Sequence, residues 1–172
     1  LASAQTLSVQ EVLQSQRDLI EESSRRTIGP AIDAMVASGM PQMQNVLELW
    51  QAKEMWQRKA DGFFYAAVQN ADGTYSLLDL ESGSVVGTAA ASDLDQLKPN
   101  SGVRAMIATA LVRFQLSDVD PVKRAEALDS IARNPEASLL APLRASIAGE
   151  ADADILARKT RLERLMSMAY DS

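Results

Sequence analysis

Among its 172 residues the chain has no cysteine and no histidine. Without cysteine there is no disulfide framework and no thiolate metal site. Without histidine there are no Ser-His or Cys-His catalytic pairs, and the commonest zinc ligand is missing. The missing histidine weighs against a hydrolase, while carboxylate, lysine and tyrosine chemistry stays open. Long apolar runs are missing too. The longest, AMIATALV at 105–112, is far shorter than the ~18 residues a membrane span takes. There is no glycine-rich phosphate loop, no Gly-x-Ser-x-Gly and no His-Glu motif. The net charge of −6 lacks the basic excess of a phosphate-binding surface. Basic residues do gather late, at Arg158, Lys159, Arg161 and Arg164, but Asp152 and Asp154 precede them. Acid first and base last is the order a helix dipole favours, so no nucleic-acid partner is expected.

What is present is mostly amphipathic helix. Leu7, Val12, Leu13, Leu19 and Ile20 recur at loosely helical spacing, and Ile28, Ile32, Met35 and Val36 form an i, i+4, i+7, i+8 stripe. Gly39-Met40-Pro41 stops that helix, and Pro41 can open the next, which buries Val46, Leu47 and Trp50. The cleanest stripe is Val103, Met106, Ile107, Ala110, Leu111 and Phe114. Asp120-Pro121 then reads as an N-cap followed by proline at the first helical position. A last helix is expected from about Asp152 to Met168. Between these segments the period changes. GFFYAAV and TYSLLDL favour strands, with the turn NADG (70–73) between them, and ESGS (81–84) turns the chain into VVG. A small antiparallel meander is predicted, with MWQRK as a further strand.

Residues 31–50 and 127–146 resemble each other. Ala31, Ile32, Asp33 and Met35 align with Ala127, Leu128, Asp129 and Ile131, and Pro41 aligns with Pro135. Both read as helix–turn–helix units with one apolar face, which stacking of such units would bury. Asp120, Pro121, Arg124, Ala127 and Ile131 also resemble the opening of a HEAT-type repeat. That resemblance implies a capping Asp and an Arg that bridges neighbouring units. The fold expected is therefore mainly α: a short HEAT-like α-solenoid of helical hairpins with a small antiparallel β-meander insertion. Residues 1–6 read as a signal-peptide remnant or flexible N-terminus, since Ala2-Ser3-Ala4 has a small-x-small form. Residues 7–172 read as a single helical-repeat domain, with the β insertion at about 54–91.

Four groups of residues invite chemistry. Asn70, Asp72, Gly73 and Asp79 match part of a calcium loop, but Val68 stands where its first ligand belongs, and an Asp-Gly turn is the simpler reading. Asp118 with Asp120, and Asp152 with Asp154, could hold a cation, yet both pairs stand at helix starts where carboxylates cap amides. Lys59 beside Arg58 has no base partner in the sequence. Trp50, Trp56, Phe63, Phe64 and Tyr65 could line a pocket or fill a seam between layers, the second being commoner. No catalytic residue, cofactor or metal ligand is assigned from these, and the chain is not expected to be an enzyme.

The order of motifs carries a family resemblance. RKADG (58–62), LLDLESGSVVG (77–87), the helix start Asn100–Arg104 and the Asp-Pro at 120–121 resemble the N-terminal extracytoplasmic region of urea-type ABC transporter permease subunits, in the branched-chain amino acid permease group. The likeness spans about residues 25–166. It implies a non-catalytic periplasmic domain on the inner membrane of a bacterium, with transport of urea or short amides carried out elsewhere. The implied partners are the periplasmic substrate-binding protein and the partner permease subunit, with ATPase subunits engaged indirectly. Membrane attachment would come through a C-terminal part absent from these residues. A free-standing HEAT-like protein-interaction scaffold is the alternative expectation.

Overall fold

The structure, a computed structural model, describes residues 7–171. The reading of residues 1–6 as a signal-peptide remnant therefore lies outside the described residues. The chain forms two compact units, divided between Ala108 and Thr109.

The first unit opens with four helices: α1 (Val9–Ser15), α2 (Arg17–Glu21), α3 (Gly29–Ala37) and α4 (Gln42–Gln51). Ser8 caps α1 by accepting from the Glu11 N–H at 3.1 Å. Next come β1 (Met55–Arg58), β2 (Phe64–Gln69), β3 (Tyr75–Leu78) and β4 (Val85–Ala89), then a 3₁₀ turn at Ala91–Asp93 and β5 (Leu94–Gln96). These strands make one antiparallel sheet in the order β4-β3-β2-β1-β5, so β5 returns to pair with β1. Helix α5 (Ser101–Gln115) crosses the boundary between the units. Asn100 starts α5, its side chain accepting from the Val103 N–H at 2.9 Å.

Both faces of the sheet are used. Met55, Gln57 and Phe64 share one face and are buried. Helix α4 contacts β1, and α1 contacts α3. On the opposite face, Tyr65, Leu77 and Leu94 form a separate buried cluster, with Trp56, Ala67, Tyr75 and Ala89 against it. The rings of Trp56 and Tyr75 lie 4.8 Å apart, centroid to centroid.

This corrects the expected fold class. The molecule is mixed α/β, with a five-stranded antiparallel sheet, rather than a mainly α HEAT-like solenoid with a small β-meander insertion. The physical reason is that each sheet face buries its own apolar set, so the sheet is a core layer and not an appendage. It also extends past the expected limit of 91, because β5 is added at 94–96. LDQ carries no strand signal of its own; its pairing with β1 makes it a strand.

The second unit holds the end of α5, then α6 (Pro121–Arg133), a 3₁₀ turn at Ala137–Leu139, α7 (Leu140–Ile147) and α8 (Ala153–Tyr170). Its core includes Leu116, Leu128, Ile131, Leu143, Ile155 and Met166. The two segments that resemble each other in sequence become α3 with α4 and α6 with α7, one pair in each unit. No described helix is long and apolar enough to cross a membrane.

Candidate functional site

The most unusual chemistry lies in the second unit. Along α8, Ile155, Lys159, Leu162 and Met166 follow i, i+4, i+7, i+11, which puts them on the core-facing side. Lys159 therefore enters the interior, and its side chain is 1% exposed. Its Nζ donates to the Leu116 carbonyl at 2.9 Å, the Ser146 carbonyl at 3.2 Å and Glu150 Oε1 at 2.9 Å. All three neighbours are acceptors, and they match the three donors that a lysine side chain offers.

Glu150, in the α7–α8 connection, has a side chain with 0% exposure. Arg124 of α6 grips it with one edge of the guanidinium, Nε to Oε1 at 2.9 Å and Nη2 to Oε2 at 2.9 Å. The Asp152 N–H adds a bond to Oε2 at 3.0 Å. Arg124 Nη1 reaches back to the Asp118 and Val119 carbonyls at 2.8 and 3.2 Å. Burial pushes the Glu150 carboxyl up, but the bonds from Arg124 and Lys159, helped by Asp152, outweigh it and hold it down at about 2. The carboxylate receives four hydrogen bonds, which fills its acceptor capacity. A recess of about 300 Å³ beside the network is walled by Asp118, Val119, Ser146 and Gly149.

Such a network has little left to offer a substrate. The Lys159 nitrogen is buried and enclosed by three acceptors of the chain itself. A carboxylate held near 2 is a poor general base at neutral pH, since proton affinity must lie near the working pH. What the triad does is join α6, the α7–α8 connection, α8 and the end of α5.

The first unit carries a polar strip. Gln10, Gln14, Arg17 and Glu21 recur at i, i+4, i+7, i+11 along α1 and α2. Gln10 exchanges two bonds with the Phe64 backbone, and Gln14 donates to the Gly62 carbonyl at 2.8 Å. Glu21 accepts from Arg17 and from Gln57, each at 2.7 Å. Those two donors hold its carboxyl below the ordinary range, Arg17 contributing more. A groove of about 530 Å³ is lined by Arg17 and Glu21 of this strip together with Lys59, Asp95 and Lys98. Its charges are partly neutralised within the wall: Arg17 pairs with Glu21, and Lys59 Nζ stands 3.8 Å from Asp95.

The residues singled out in sequence fall as follows. Asp72 closes the β2–β3 turn, accepting from the Thr74 N–H at 3.0 Å and its hydroxyl at 2.6 Å, while Gly73 takes φ +88°. Asn70 bonds Thr74 and Ser76. Asp79 belongs to the next turn, accepting from the Glu81 and Ser82 N–H groups. Asp72 and Asp79 thus serve different turns. Asp120 caps α6 through the Val122 N–H at 2.9 Å, and Asp118 accepts from the Asp120 N–H at 2.9 Å. Asp152 caps α8 through the Asp154 and Ile155 N–H groups. No group of three acidic residues able to hold a metal occurs among the described residues. Lys59 is half exposed. The five aromatics are not brought together: Trp50 and Phe64 are fully buried, Trp56 and Tyr65 take the opposite sheet face from Phe64, and Phe63 is exposed.

Sequence reading missed Lys159 and Glu150. The available signal was a lysine on the apolar face of α8, in register with Ile155, Leu162 and Met166. Arg124, expected to bridge neighbouring repeats, instead pairs with Glu150 inside the second unit. Comparison with family models, curated proteins and solved structures finds no match to this chain.

Proposed function

We propose that this chain is a non-catalytic, extracytoplasmic domain of a urea-type ABC transporter permease, on the periplasmic side of a bacterial inner membrane. Its task is to dock the exported substrate-binding protein or to assemble with the partner permease subunit. ATPase subunits and the membrane-spanning path belong to other parts of the transporter. No cofactor or metal is assigned.

One observation carries the reading. The motifs behind the family likeness stand where the backbone depends on residue identity. In RKADG, Arg58 and Asp61 bind each other across the β1–β2 turn, and Gly62 takes φ +76°. In LLDLESGSVVG, Asp79 and Gly83, at φ +75°, shape the β3–β4 turn. Asn100 and Asp120 cap α5 and α6. A likeness in turns and caps is a likeness of architecture, which suits a domain whose role is to present a surface. The saturated Arg124–Glu150–Lys159 network supports the same view, because its groups are spent on holding helices.

The test has two stages. The gene is read on both sides of this segment; an apolar export signal upstream and several spans of about 20 apolar residues downstream support the reading, and a stop codon after Ser172 overturns it. The chain is then titrated by calorimetry with a urea-transporter binding protein, urea-loaded and empty. Saturable binding to either form supports docking. No binding to either, with no association to the partner permease domain, sinks it.

A further inference from the structure

One face of α8 is left uncovered, and its composition is not that of an ordinary solvated face. Opposite the core stripe, Arg161, Arg164, Leu165, Met168 and Ala169 fall at i, i+3, i+4, i+7, i+8 and are all exposed. Leu165 is 58% exposed and Met168 82%. Single exposed apolar residues are unremarkable, but here two large ones lie one turn apart at the end of a helix. The arginines beside them have no ion pair or hydrogen bond among the described residues. The neighbouring basic residues differ: Arg158 is paired with Asp129, and Arg144 with Glu163 and Asp171. In a chain of net charge −6, this face carries two unneutralised positive charges next to its apolar end.

At a rise of about 1.5 Å per residue, Arg161 and Met168 stand about 10 Å apart along the helix, with Arg164 and Leu165 between them. Basic side chains therefore come first and exposed apolar ones follow toward the end of the helix. Guanidinium groups suit phosphate oxygens, since they donate in a planar fork.

We propose that the C-terminal half of α8 docks on an anionic phospholipid surface, with Arg161 and Arg164 on lipid phosphates and Leu165 and Met168 entering the headgroup–acyl boundary. Charge complementarity and the basic-to-apolar order along the helix select this occupant. The association is weak and reversible, because two arginines and two apolar side chains are a small anchor. It goes beyond the permease reading and does not depend on it, since it needs only the exposed face of α8.

The test is co-sedimentation of the whole chain with phosphatidylcholine vesicles, with and without phosphatidylglycerol. Binding is expected only with the anionic lipid, weakening as salt is raised. Replacing both arginines, Arg161→Gln with Arg164→Gln, is expected to lower the partition coefficient by about tenfold or more. Met168→Asp is expected to reduce binding at unchanged charge on the arginines. All three positions are exposed, so circular dichroism and melting temperature should match the parent chain. The proposal is overturned if the parent chain does not sediment with anionic vesicles at low salt, or if binding survives both sets of substitutions. It is also overturned if the chain forms a dimer that Met168→Asp dissolves, which would make the face a contact between copies.

Discussion

The side-chain amide of Gln10 and the backbone of Phe64 exchange two hydrogen bonds, Nε2 to the Phe64 carbonyl at 2.9 Å and the Phe64 N–H to Oε1 at 2.8 Å. Neighbouring strands bond in the same reciprocal way. Strand β3 ends at Leu78, opposite Ala66, so no strand reaches Phe64 from that side. A helix side chain supplies the missing partner, and a strand end that would be buried with two unpaired groups is satisfied.

Removal of that partner should be costly. Gln10→Ala leaves both backbone groups of Phe64 without a bond and is expected to destabilise the first unit by about 2 kcal/mol. Both tryptophans, Trp50 and Trp56, lie in this unit, so urea unfolding followed by tryptophan fluorescence reads the loss. A midpoint equal to that of the parent chain would refute the role given to Gln10.

In the second unit, Lys159→Met should cost about 2–3 kcal/mol, since it leaves two carbonyls without a donor and takes one of its charged partners from Glu150, which keeps Arg124. Lys159→Met combined with Glu150→Gln should lose less than the sum of the single changes, because the two residues are in direct contact. Helical circular dichroism during chemical unfolding measures both. Additive losses would show that the ion pair is not the coupling.

Acid should unlock the same network. The Glu150 carboxyl is held at about 2 in the folded chain, below its ordinary 4.5. A depressed carboxylate contributes stability that is fully present above the unfolded value and is lost as pH falls toward the folded one. Helical signal from the second unit should therefore become easier to unfold between about pH 4.5 and 2. The slope should flatten in Glu150→Gln, and an unchanged slope in that variant would assign the acid sensitivity to other carboxylates.

A different change should stabilise the molecule. Lys53 follows α4 in the left-handed region, at φ 62°. Its N–H bonds the Trp50 carbonyl, and the Glu54 N–H bonds the Leu49 carbonyl at 2.8 Å, a Schellman ending in which glycine is the usual residue. Lys53→Gly removes the steric penalty of a Cβ there and is expected to add about 1 kcal/mol. The Gln96 side chain bonds only the Lys53 carbonyl, which the change retains. A lower melting temperature would show that the lysine side chain matters.

The sequence by itself determined the local elements. The stripes for α3, α4 and α5 were legible, as were the Asp120 and Asn100 helix starts, the Asp-Gly turn at 72–73 and four of the five strands, because each rests on residues close in the chain. It also determined that Asp72, Asp118, Asp120 and Asp152 have local backbone work to do. Only the tertiary structure decided the fold class. The fifth strand, LDQ, exists through its pairing with β1, and the two apolar sheet faces become visible only once register sets Tyr65, Leu77 and Leu94 together. The same holds for the site: Arg124, Glu150 and Lys159 lie 26 and 9 positions apart, and no local pattern joins them. Burial converts three ordinary surface residue types into one network, since a buried charge must find its partners wherever the chain brings them.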